Sequence, residues 1–267
     1  DPLWSRGLGD VYKRQVCEEA RCPNIYECWN RGTATIMILG DVCTRACGFC
    51  SVKTGKPKWD DPLEPIRTAV AIKKMQLRHV VITSVDRDDL KDDYGSSIWG
   101  ETINQIREHV PGCTVEVLTP DFKGYRPALE RVFNARPDIF SHNVECVERI
   151  SRKVRSQANW ERSIDILRQS VEFGLYTKTG IMVGLGENFD EVVNTMKEIR
   201  KFGVSIFTIG QYLQPTKENL PVQRYVSNDE FETYKRIGLY LGFDIVESGP
   251  LVRSSYHADE QARLALD

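Results

Sequence analysis

The sequence predicts an α/β fold in which strands and helices alternate six times. Short apolar segments recur along the chain, and segments with helical periodicity separate them. Polar residues, Gly and Pro follow the predicted strands, whereas the opposite connections, such as 172–174 "EFG" and 201–203 "KFG", are plain helix stops. Repeated strand–helix alternation implies parallel strands with crossover helices, and therefore either a barrel or an open doubly wound sheet.

Each predicted strand is a short apolar run bounded by turn residues. These strands are 33–39, 79–85, 114–119, 138–143, 177–184 and 205–212. The helices between them are predicted near 65–76, 97–109, 125–134, 159–173, 189–201 and 228–241. Two helices have a readable start, because Asn188 and Ser227 each stand three residues before a glutamate that can complete a capping box.

The 267 residues, 41% of them apolar and 28% charged, suffice for one large domain with a substantial core. We expect this domain to cover residues 33–248, with a cysteine-rich segment at 16–32 before it and a tail at 249–267 after it. Residues 1–15 fit neither a strand nor a helix period. We expect them to be a non-native scar or disordered.

Composition excludes several classes of protein. A formal charge of −2 argues against a dedicated nucleic-acid binder. The longest apolar runs are far shorter than the roughly 20 residues needed to cross a bilayer, and the chain opens with no signal-peptide pattern. We therefore expect a soluble, intracellular protein with neither nucleic acid nor a membrane as a partner.

Cysteine usage is the strongest compositional signal, because six of the eight cysteines lie between positions 17 and 50. A disulfide framework is not expected in a chain of this size without a secretion signal, so metal binding is the leading interpretation. Structural zinc takes four ligands per ion, often as paired C-x2-C motifs. Here the cysteines fall into two groups of three: Cys17, Cys22 and Cys28 at C-x4-C-x5-C, then Cys43, Cys47 and Cys50 at C-x3-C-x2-C.

Three thiolates suit a cubic [4Fe–4S] cluster in which one of the four irons has no protein ligand. Such an iron can bind a small molecule. The second trio directly follows the first predicted strand, where the chemistry of a parallel α/β fold gathers. The other two cysteines, Cys113 and Cys146, are expected to be small core residues. His142 and His257 are expected to pack or to form hydrogen bonds.

The C-x3-C-x2-C spacing, with Phe49 before the last cysteine, is similar to the signature of radical S-adenosylmethionine enzymes. The segment 180–187 "GIMVGLGE" resembles the G-x-I-x-G-x-x-E element of that superfamily, with Met182 in place of Ile. The resemblance implies a partial (β/α)6 TIM-like barrel, and a cluster whose open iron binds S-adenosylmethionine and generates a 5'-deoxyadenosyl radical. The cofactor-binding residues that it implies are Phe49, Ser84, Asp86, Asn143, Glu145, Gly180, Gly184 and Glu187.

Two of these assignments have alternatives. Ser84 and Asp86 replace the paired glycines and glutamate that usually recognise the amino end of the cofactor, and "KDDYGSS" follows where the family has Gly-Gly. Asn143 and Glu145 could reach the ribose or the substrate, or could simply cap a turn. The Gly-rich segment could likewise be an ordinary turn between a strand and a helix.

The first cysteine trio resembles the auxiliary-cluster motif of the lipoyl synthase family. The match extends through "TSVDRDDL", "VLTPDF", "HNVE" and "GPLVRSSYHA", although Cys146 stands where the family has Thr. The resemblance implies that a serine of RSSY, Ser254 or Ser255 with Ser255 favoured, completes the auxiliary cluster. It also implies that the tail closes over the barrel mouth.

This resemblance implies a sulfurtransferase that uses two [4Fe–4S] clusters and S-adenosylmethionine. The reaction would insert two sulfur atoms, at C6 and C8, into an octanoyl-lysine on a lipoyl carrier domain, with the auxiliary cluster as sacrificial sulfur donor. The implied partners are the octanoylated glycine cleavage H protein and 2-oxoacid dehydrogenase E2, an electron donor such as flavodoxin or ferredoxin, and an iron–sulfur carrier. The implied compartment is the bacterial cytoplasm, or the mitochondrial matrix in a eukaryote.

Two other functions fit parts of the sequence. A sulfur-inserting radical enzyme of the biotin synthase kind would lack the first trio and the RSSY segment. An iron–sulfur electron carrier would need fully cysteine-ligated clusters and would have no use for six β/α units.

We expect catalysis to rest on Cys43, Cys47, Cys50 and Ser255.

Overall fold

The computed structural model describes residues 24–58 and 61–266, and the chain has the α/β fold that the sequence predicts. The strands are β1 Thr33–Ile38, β2 Val42–Cys43, β3 Lys53–Thr54, β4 His79–Ser84, β5 Thr114–Leu118, β6 Ile139–Ser141, β7 Thr177–Val183, β8 Ile206–Gln211 and β9 Ile245–Gly249. The helices are α1 Ile25–Asn30, α2 Glu64–Met75, α3 Ser96–His109, α4 Arg126–Asn134, α5 Glu148–Val154, α6 Trp160–Glu172, α7 Phe189–Arg200, α8 Asn228–Tyr240 and α9 Ala258–Leu266.

Within the described residues, seven strands form one parallel sheet in the order β1-β4-β5-β6-β7-β8-β9. All six predicted strands and all six predicted helices are present, with ends within two residues of those predicted. The prediction omitted β9 as a seventh strand, and it omitted α1, α5 and α9. None of the described helices is both long enough and apolar enough to cross a bilayer.

Residue contacts divide the chain into two compact units. The first unit comprises residues 24–45, 52–140 and 257–266, with β1, β4 and β5 in parallel register. The apolar runs of these strands are buried, α2 packs against α3, and Trp99 of α3 is fully enclosed. Because the strands are parallel, the loops that follow β1, β4 and β5 meet at one edge of the sheet.

The second unit comprises residues 46–51 and 141–256, and contains β7, β8 and β9 with α5 to α8. Its α7 begins with the predicted capping box, in which Asn188 and Glu191 exchange hydrogen bonds. The predicted cap of α8 forms only in part. Ser227 accepts from the backbone N–H of Glu230, but the Glu230 carboxylate is taken by Arg224 at 2.7 Å.

The predicted C-terminal tail divides between the units. Residues 249–256 follow the carboxyl end of β9 in the second unit. In the first unit, the first turn of α9 contacts Arg31, which precedes β1, and the charge of His79, the first residue of β4, acts on Asp259. This turn therefore lies beside the amino ends of β1 and β4. The earlier part of the tail, residues 250–256, follows the carboxyl end of β9.

Candidate active site

The cysteine loop, residues 41–57, leaves β1 through a turn with unusual backbone geometry. Leu39 has a φ of 65° and Gly40 a φ of 93°. The left-handed conformation costs a residue with a side chain about 1–2 kcal/mol. Two buried charged groups offset this cost, since Glu64 accepts from the N–H of Leu39 at 2.8 Å and Arg87 donates to its carbonyl at 3.3 Å.

The sulfur of Cys43 accepts two backbone hydrogen bonds in the first unit. The N–H groups of Arg45 and Asp86 both donate to it at 3.4 Å. The side chain of Thr44 joins the same two loops, because its hydroxyl donates to the carbonyl of Asp86 and accepts from the N–H of Asp88. Since N–H donors stabilise negative charge on sulfur, this environment suits a metal-bound thiolate.

Arg45, inside the C-x3-C-x2-C motif, is the centre of a buried ion-pair network that we call the arginine clamp, formed by Arg45, Asp86, Asp88 and Asp121. The Arg45 side chain is 3% exposed. Its Nε and Nη2 donate to both carboxylate oxygens of Asp88 at 2.9 and 2.8 Å. Nη2 also donates to Asp121 at 2.5 Å, and Nη1 lies 3.1 Å from Asp86. The clamp therefore ties the cysteine loop to the loops after β4 and β5.

The charges of the clamp shift the pKa values of its members. Burial alone would lower the pKa of Arg45, but its hydrogen bonds to Asp88 and Asp121 and the charge of Asp86 raise it above its usual value. Burial alone would raise the pKa of Asp88. Hydrogen bonds from Arg45 and Lys123 outweigh this effect and hold the pKa of Asp88 below its ordinary value.

Cys47 and Cys50 belong to the second unit, where hydrogen bonds to the backbone fix the part of the loop that carries them. The N–H of Gly48 donates to the carbonyl of Val154 and its carbonyl accepts from the N–H of Leu220, both at 2.9 Å. Asn219 donates to the carbonyl of Cys50 at 2.9 Å. A Cβ at position 48 would stand 2.9 Å from Leu220, so the turn between these cysteines favours Gly.

The Gly-rich segment after β7 is a turn that Glu187 holds from inside. The carboxylate of Glu187 is buried and accepts from the N–H groups of Gly184 and Leu185 at 2.6 and 2.9 Å. Gly184 has a φ of 97°, and a Cβ there would stand 2.6 Å from the carbonyl of Arg224. Gly184 and Glu187 therefore both shape the turn. This is the structural role that the sequence analysis gave as the alternative to cofactor binding.

Asn143, after β6, contacts the RSSY segment in the second unit. Its Nδ2 donates to the hydroxyl of Ser254 at 2.7 Å. Its Oδ1 is buried and has no hydrogen-bond partner among the described residues. A buried acceptor of this kind suits a hydroxyl or amine donor of a bound ligand. A Cβ at Gly180 would stand 3.3 Å from this Oδ1 and 2.2 Å from the hydroxyl of Thr208, so Gly is required there.

Glu145 occupies a strained position beside β7. Its φ is 67°, and its backbone bridges to β7 through the carbonyl of Gly180 and the N–H of Met182. Burial raises the pKa of its carboxyl group, and the charge of Arg155 with a hydrogen bond from Asn143 offsets the effect only in part. A carboxyl group with a raised pKa, held by strained backbone, is typical of functional sites.

The remaining predicted residues have simpler surroundings. Ser84 donates to the carbonyl of Val85 at 2.8 Å, and Phe49 packs against the apolar core of the second unit. Cys113 and Cys146 are buried as predicted, and burial raises the pKa of each thiol to about 12. Thiols with such pKa values are inert structural residues.

Both histidines that the sequence analysis singled out form hydrogen bonds, as predicted. His142 lies 3.0 Å from the hydroxyl of Ser163. His257 lies 2.9 Å from the carboxylate of Glu27.

The cysteine loop fits an iron–sulfur cluster in the type and number of its donors. Cys43, Cys47 and Cys50 are half-buried thiols on one short loop, and Cys43 already accepts amide hydrogen bonds. Among the described residues, no three His, Cys, Asp or Glu side chains stand close enough together to hold a metal ion without rearrangement. Cys17 and Cys22 lie outside the described residues, whereas Cys28 is buried on α1.

Sequence reasoning missed the residues that hold the cysteine loop. Arg45 stands at an unspecified (x) position of the C-x3-C-x2-C spacing, and Asp121 and Asn219 lie 76 and 169 residues from their partners in the loop. One signal was available for the clamp. The loop after β4 holds three aspartates and one arginine, and Arg87 pairs with Asp89. A second cation was therefore needed to balance Asp86 and Asp88, and Arg45 is the cation inside the motif.

Comparison with known families agrees with this geometry. Residues 37–199 match the family model of the radical SAM superfamily. The chain is 60% identical over 248 residues to the lipoyl synthase of Rubrobacter xylanophilus, covering 92% of this chain and 77% of that protein. It is 53% identical over 257 residues to the mitochondrial lipoyl synthase of Nematostella vectensis, covering 96% and 88%.

Solved structures share the fold at low sequence identity. SuiB of Streptococcus suis bound to S-adenosylmethionine matches with a TM-score of 0.63 at 12% identity, over 88% of this chain and 56% of that one. Methylornithine synthase matches with a TM-score of 0.54 at 15% identity, over 93% and 80%. Together with the cysteine loop and its anchors, these similarities show that the chain belongs to the lipoyl synthase family of the radical SAM superfamily.

Proposed function

We propose that this chain is a sulfurtransferase that inserts two sulfur atoms, at C6 and C8, into an octanoyl chain on a lysine of a lipoyl carrier domain. The observation that carries the proposal is the 60% identity to a lipoyl synthase over 92% of the chain. Acid and base side chains cannot deprotonate an alkane carbon, so the reaction depends on cofactors that the chain holds and orients.

Membership of the superfamily implies an iron–sulfur cluster and S-adenosylmethionine. We assign Cys43, Cys47 and Cys50 as the ligands of this cluster. When bound, the cluster and S-adenosylmethionine supply the electron and the radical that removes hydrogen from the substrate. The chain contributes the position of the thiolates, which Arg45 sets for Cys43 and Asn219 sets for Cys50.

We further propose that Cys17, Cys22, Cys28 and Ser255 hold a second [4Fe–4S] cluster, which supplies the sulfur. The hydrogen bond from Asn143 to Ser254 supports the choice of Ser255, because it commits the other hydroxyl of the pair to a buried amide. An alkoxide is a hard ligand for iron among soft thiolates and is more easily displaced by protonation. This suits a cluster that is taken apart during the reaction.

The relatives named lipoyl synthase imply a lipoyl carrier protein as substrate. We propose the octanoylated glycine cleavage H protein and 2-oxoacid dehydrogenase E2 as carriers. Flavodoxin or ferredoxin would donate electrons, and an iron–sulfur carrier would rebuild the consumed cluster. We propose the bacterial cytoplasm, or the mitochondrial matrix in a eukaryote, as the compartment.

The test is an anaerobic incubation of the reconstituted protein with S-adenosylmethionine, a reductant and an octanoyl-lysine peptide. We expect the peptide to gain two sulfur atoms by mass. Cys47→Ala should abolish cleavage of S-adenosylmethionine, whereas Cys28→Ala should retain cleavage and lose sulfur insertion. Cys113→Ala removes a buried thiol outside both trios and should keep both activities.

The iron content separates the two other candidate functions. Two clusters require about eight irons per chain. About four irons with cleavage of S-adenosylmethionine would instead favour an enzyme of the biotin synthase kind. Bound iron without any cleavage would favour an electron carrier and would contradict the proposal.

A further inference from the structure

One segment of the second unit contacts two turns of the candidate site. We call residues 212–226, which lead from β8 to the cap of α8, the strap. The first turn, residues 47–50, is the part of the cysteine loop that belongs to this unit, and we call it the cysteine turn. The second is the Gly-rich turn after β7. All three segments lie in the same compact unit.

Backbone hydrogen bonds join the strap to both turns. The N–H of Leu220 donates to the carbonyl of Gly48 in the cysteine turn at 2.9 Å. The N–H of Gln223 donates to the carbonyl of Gly184 in the Gly-rich turn at 2.8 Å. A Cβ at Gly48 or at Gly184 would collide with the strap, so both turns present glycine where the strap approaches. The two turns are therefore linked through a short stretch of one segment.

The side chain of Asn219 extends the contact with the cysteine turn. Its Nδ2 donates to the carbonyls of Cys50 and Gly48, at 2.9 and 3.3 Å. Its Oδ1 accepts from the N–H and the hydroxyl of Thr216, at 3.2 and 2.8 Å. Because acceptors lie on one side of the amide and donors on the other, only one orientation satisfies both. Thr216 therefore directs the Asn219 donor toward the cysteine turn.

Buried side chains brace the strap at both ends. The hydroxyl of Tyr212, a buried residue, donates to the carbonyl of Leu220 at 2.7 Å. The buried amide of Gln211 donates to the carbonyl of Arg224 at 3.1 Å and accepts from the N–H of Val226 at 2.9 Å. These contacts fix the strap on either side of its two turn contacts.

The stretch between the two turn contacts is stiff. Pro221 follows Leu220, and its ring fixes the backbone φ angle. Leu220 and Val222 both pack against the apolar core of the second unit. We therefore expect the strap to move as one body, so that a change at the cysteine turn reaches the Gly-rich turn.

The strap links two places that the sequence resemblance assigns to one cofactor. Cys50 is a proposed ligand of the cluster that binds S-adenosylmethionine, and Gly184 belongs to the segment implied to contact the same molecule. A Cβ at Gly180, in that segment, would stand 3.3 Å from the buried Oδ1 of Asn143. This acceptor has no hydrogen-bond partner among the described residues, so the surroundings suit a donor group of a bound cofactor.

We propose that the strap is a positioning element, and Asn219 a positioning residue, that holds the cysteine turn at a fixed spacing from the Gly-rich turn. A ligand held at two points gains affinity when their spacing matches it and loses affinity when the spacing varies. The inference rests on the proposed function, since it assigns the strap to the binding of S-adenosylmethionine. A strap that only supported the cysteine ligands would affect iron binding, whereas a strap that sets the spacing affects cofactor affinity while iron stays bound.

The test compares Asn219→Asp with Asn159→Asp, which make the same change of an amide to a carboxylate. At position 219 an oxygen replaces the Nδ2 donor and faces two carbonyl oxygens. At position 159 the side chain caps α6 by accepting from the N–H of Arg162, and Asp caps a helix as well as Asn does. Asn159→Asp is therefore a matched control in the same unit.

The reconstituted protein gives the first measurement. Asn219→Asp should raise the KM for S-adenosylmethionine in its cleavage about tenfold, because the two contact points no longer keep one spacing. Bound iron should stay at about eight per chain. Thr216→Val removes one of the two groups that orient Asn219, and should raise the KM in the same direction by a smaller factor. Asn159→Asp should match the unsubstituted protein in KM and in iron content.

Amide hydrogen exchange in the cluster-free protein tests the strap without activity. In Asn219→Asp, the N–H groups of Leu220 and Gln223 should both exchange about fivefold faster, as the loss of one hydrogen bond in a segment that opens as a unit predicts. Exchange at both positions should stay unchanged in Asn159→Asp.

Three results would overturn the proposal. An unchanged KM in Asn219→Asp would show that the spacing does not depend on the strap. Loss of iron in step with cleavage would show that Asn219 only supports the ligands. Faster exchange at Leu220 alone would show that the strap does not connect the two turns. Should the unsubstituted protein fail to cleave S-adenosylmethionine, the proposed function fails instead, and exchange at Gln223 still decides whether the strap is one body.

Discussion

Replacing Arg45 by Gln should destabilise the cluster-free protein by about 3 kcal/mol. Removing one partner of a buried ion-pair network costs about 3–5 kcal/mol, because the charges left behind stay buried. The lower end applies here, since Asp86 and Asp88 are 22% and 16% exposed and Lys123 remains 2.9 Å from Asp88. With a urea m value of about 3 kcal/mol/M, the unfolding midpoint should fall by about 1 M.

Arg168→Gln is the matched control for this measurement. Arg168 pairs with Asp165 and Glu172 on the surface of α6, and its side chain is 43% exposed. An exposed pair of this kind contributes little to stability, because solvent screens its charges. Arg45→Lys keeps the positive charge but loses the planar set of guanidinium donors. Its shift in unfolding midpoint should therefore lie between those of Arg45→Gln and Arg168→Gln. Equal midpoint shifts for Arg45→Gln and Arg168→Gln would refute the argument.

The clamp also predicts how the difference in stability between the unsubstituted protein and Arg45→Gln depends on pH. Because Arg45 lowers the folded-state pKa of Asp88, the stabilisation is present above the ordinary Asp pKa of about 3.9 and is lost as pH falls through the lowered value. The urea midpoints of the unsubstituted protein and Arg45→Gln should therefore show their full difference at pH 7 and converge below about pH 4. Urea midpoints measured across this range check the sign, and a difference that grew on acidification would contradict it.

Two further substitutions test the second unit. Gly184→Ala places a Cβ 2.3 Å from Gln211 at a positive φ, whereas at Gly186 the nearest atom is 3.6 Å away. We expect the overpacking in Gly184→Ala to reduce the free energy of unfolding by about 1–3 kcal/mol, and the thermal midpoint to fall further than in Gly186→Ala. Equal midpoints for the two variants would exclude the clash. Asn143→Ala should reduce the free energy of unfolding by about 1 kcal/mol and speed amide exchange at residues 252–256, because it removes the hydrogen bond to Ser254. If the two residues act as one pair, adding Ser254→Ala should cause no further change.

The repeated strand–helix part of the fold could be predicted because each strand and each helix carries its own local sequence signal. A β-branched run such as 79–84 "HVVITS" and a capped amphipathic helix such as α7 are specified by neighbouring residues. β9 has only Ile245 and Val246 as an apolar run before Glu, Ser and Gly, so its sequence resembles a loop. Its pairing with β8 supplies the stability that its own propensity lacks.

The candidate site could be predicted only as far as its ligands. Cysteine spacing is a local signal, and it identified the loop. The anchors of the loop depend on which strand ends meet, and this follows from the parallel register of β1, β4 and β5 rather than from any motif. Asp86 illustrates the consequence. It was predicted to bind the cofactor's amino end, and in the structure its carboxylate lies 3.1 Å from Arg45.

The first-unit anchors of the cysteine loop are charged, and the directionality of hydrogen bonds explains why. Apolar contacts stabilise in proportion to buried area and specify no angle, whereas hydrogen bonds weaken steeply when misaligned. Glu64 and Arg87 fix the turn at Leu39, and Arg45 fixes the loop beyond Cys43. A buried ion-pair network gains little stability over an apolar core of the same size. What it provides here is a single orientation for the part of the loop beside Cys43, and a thiolate donor must be oriented before it can bind metal.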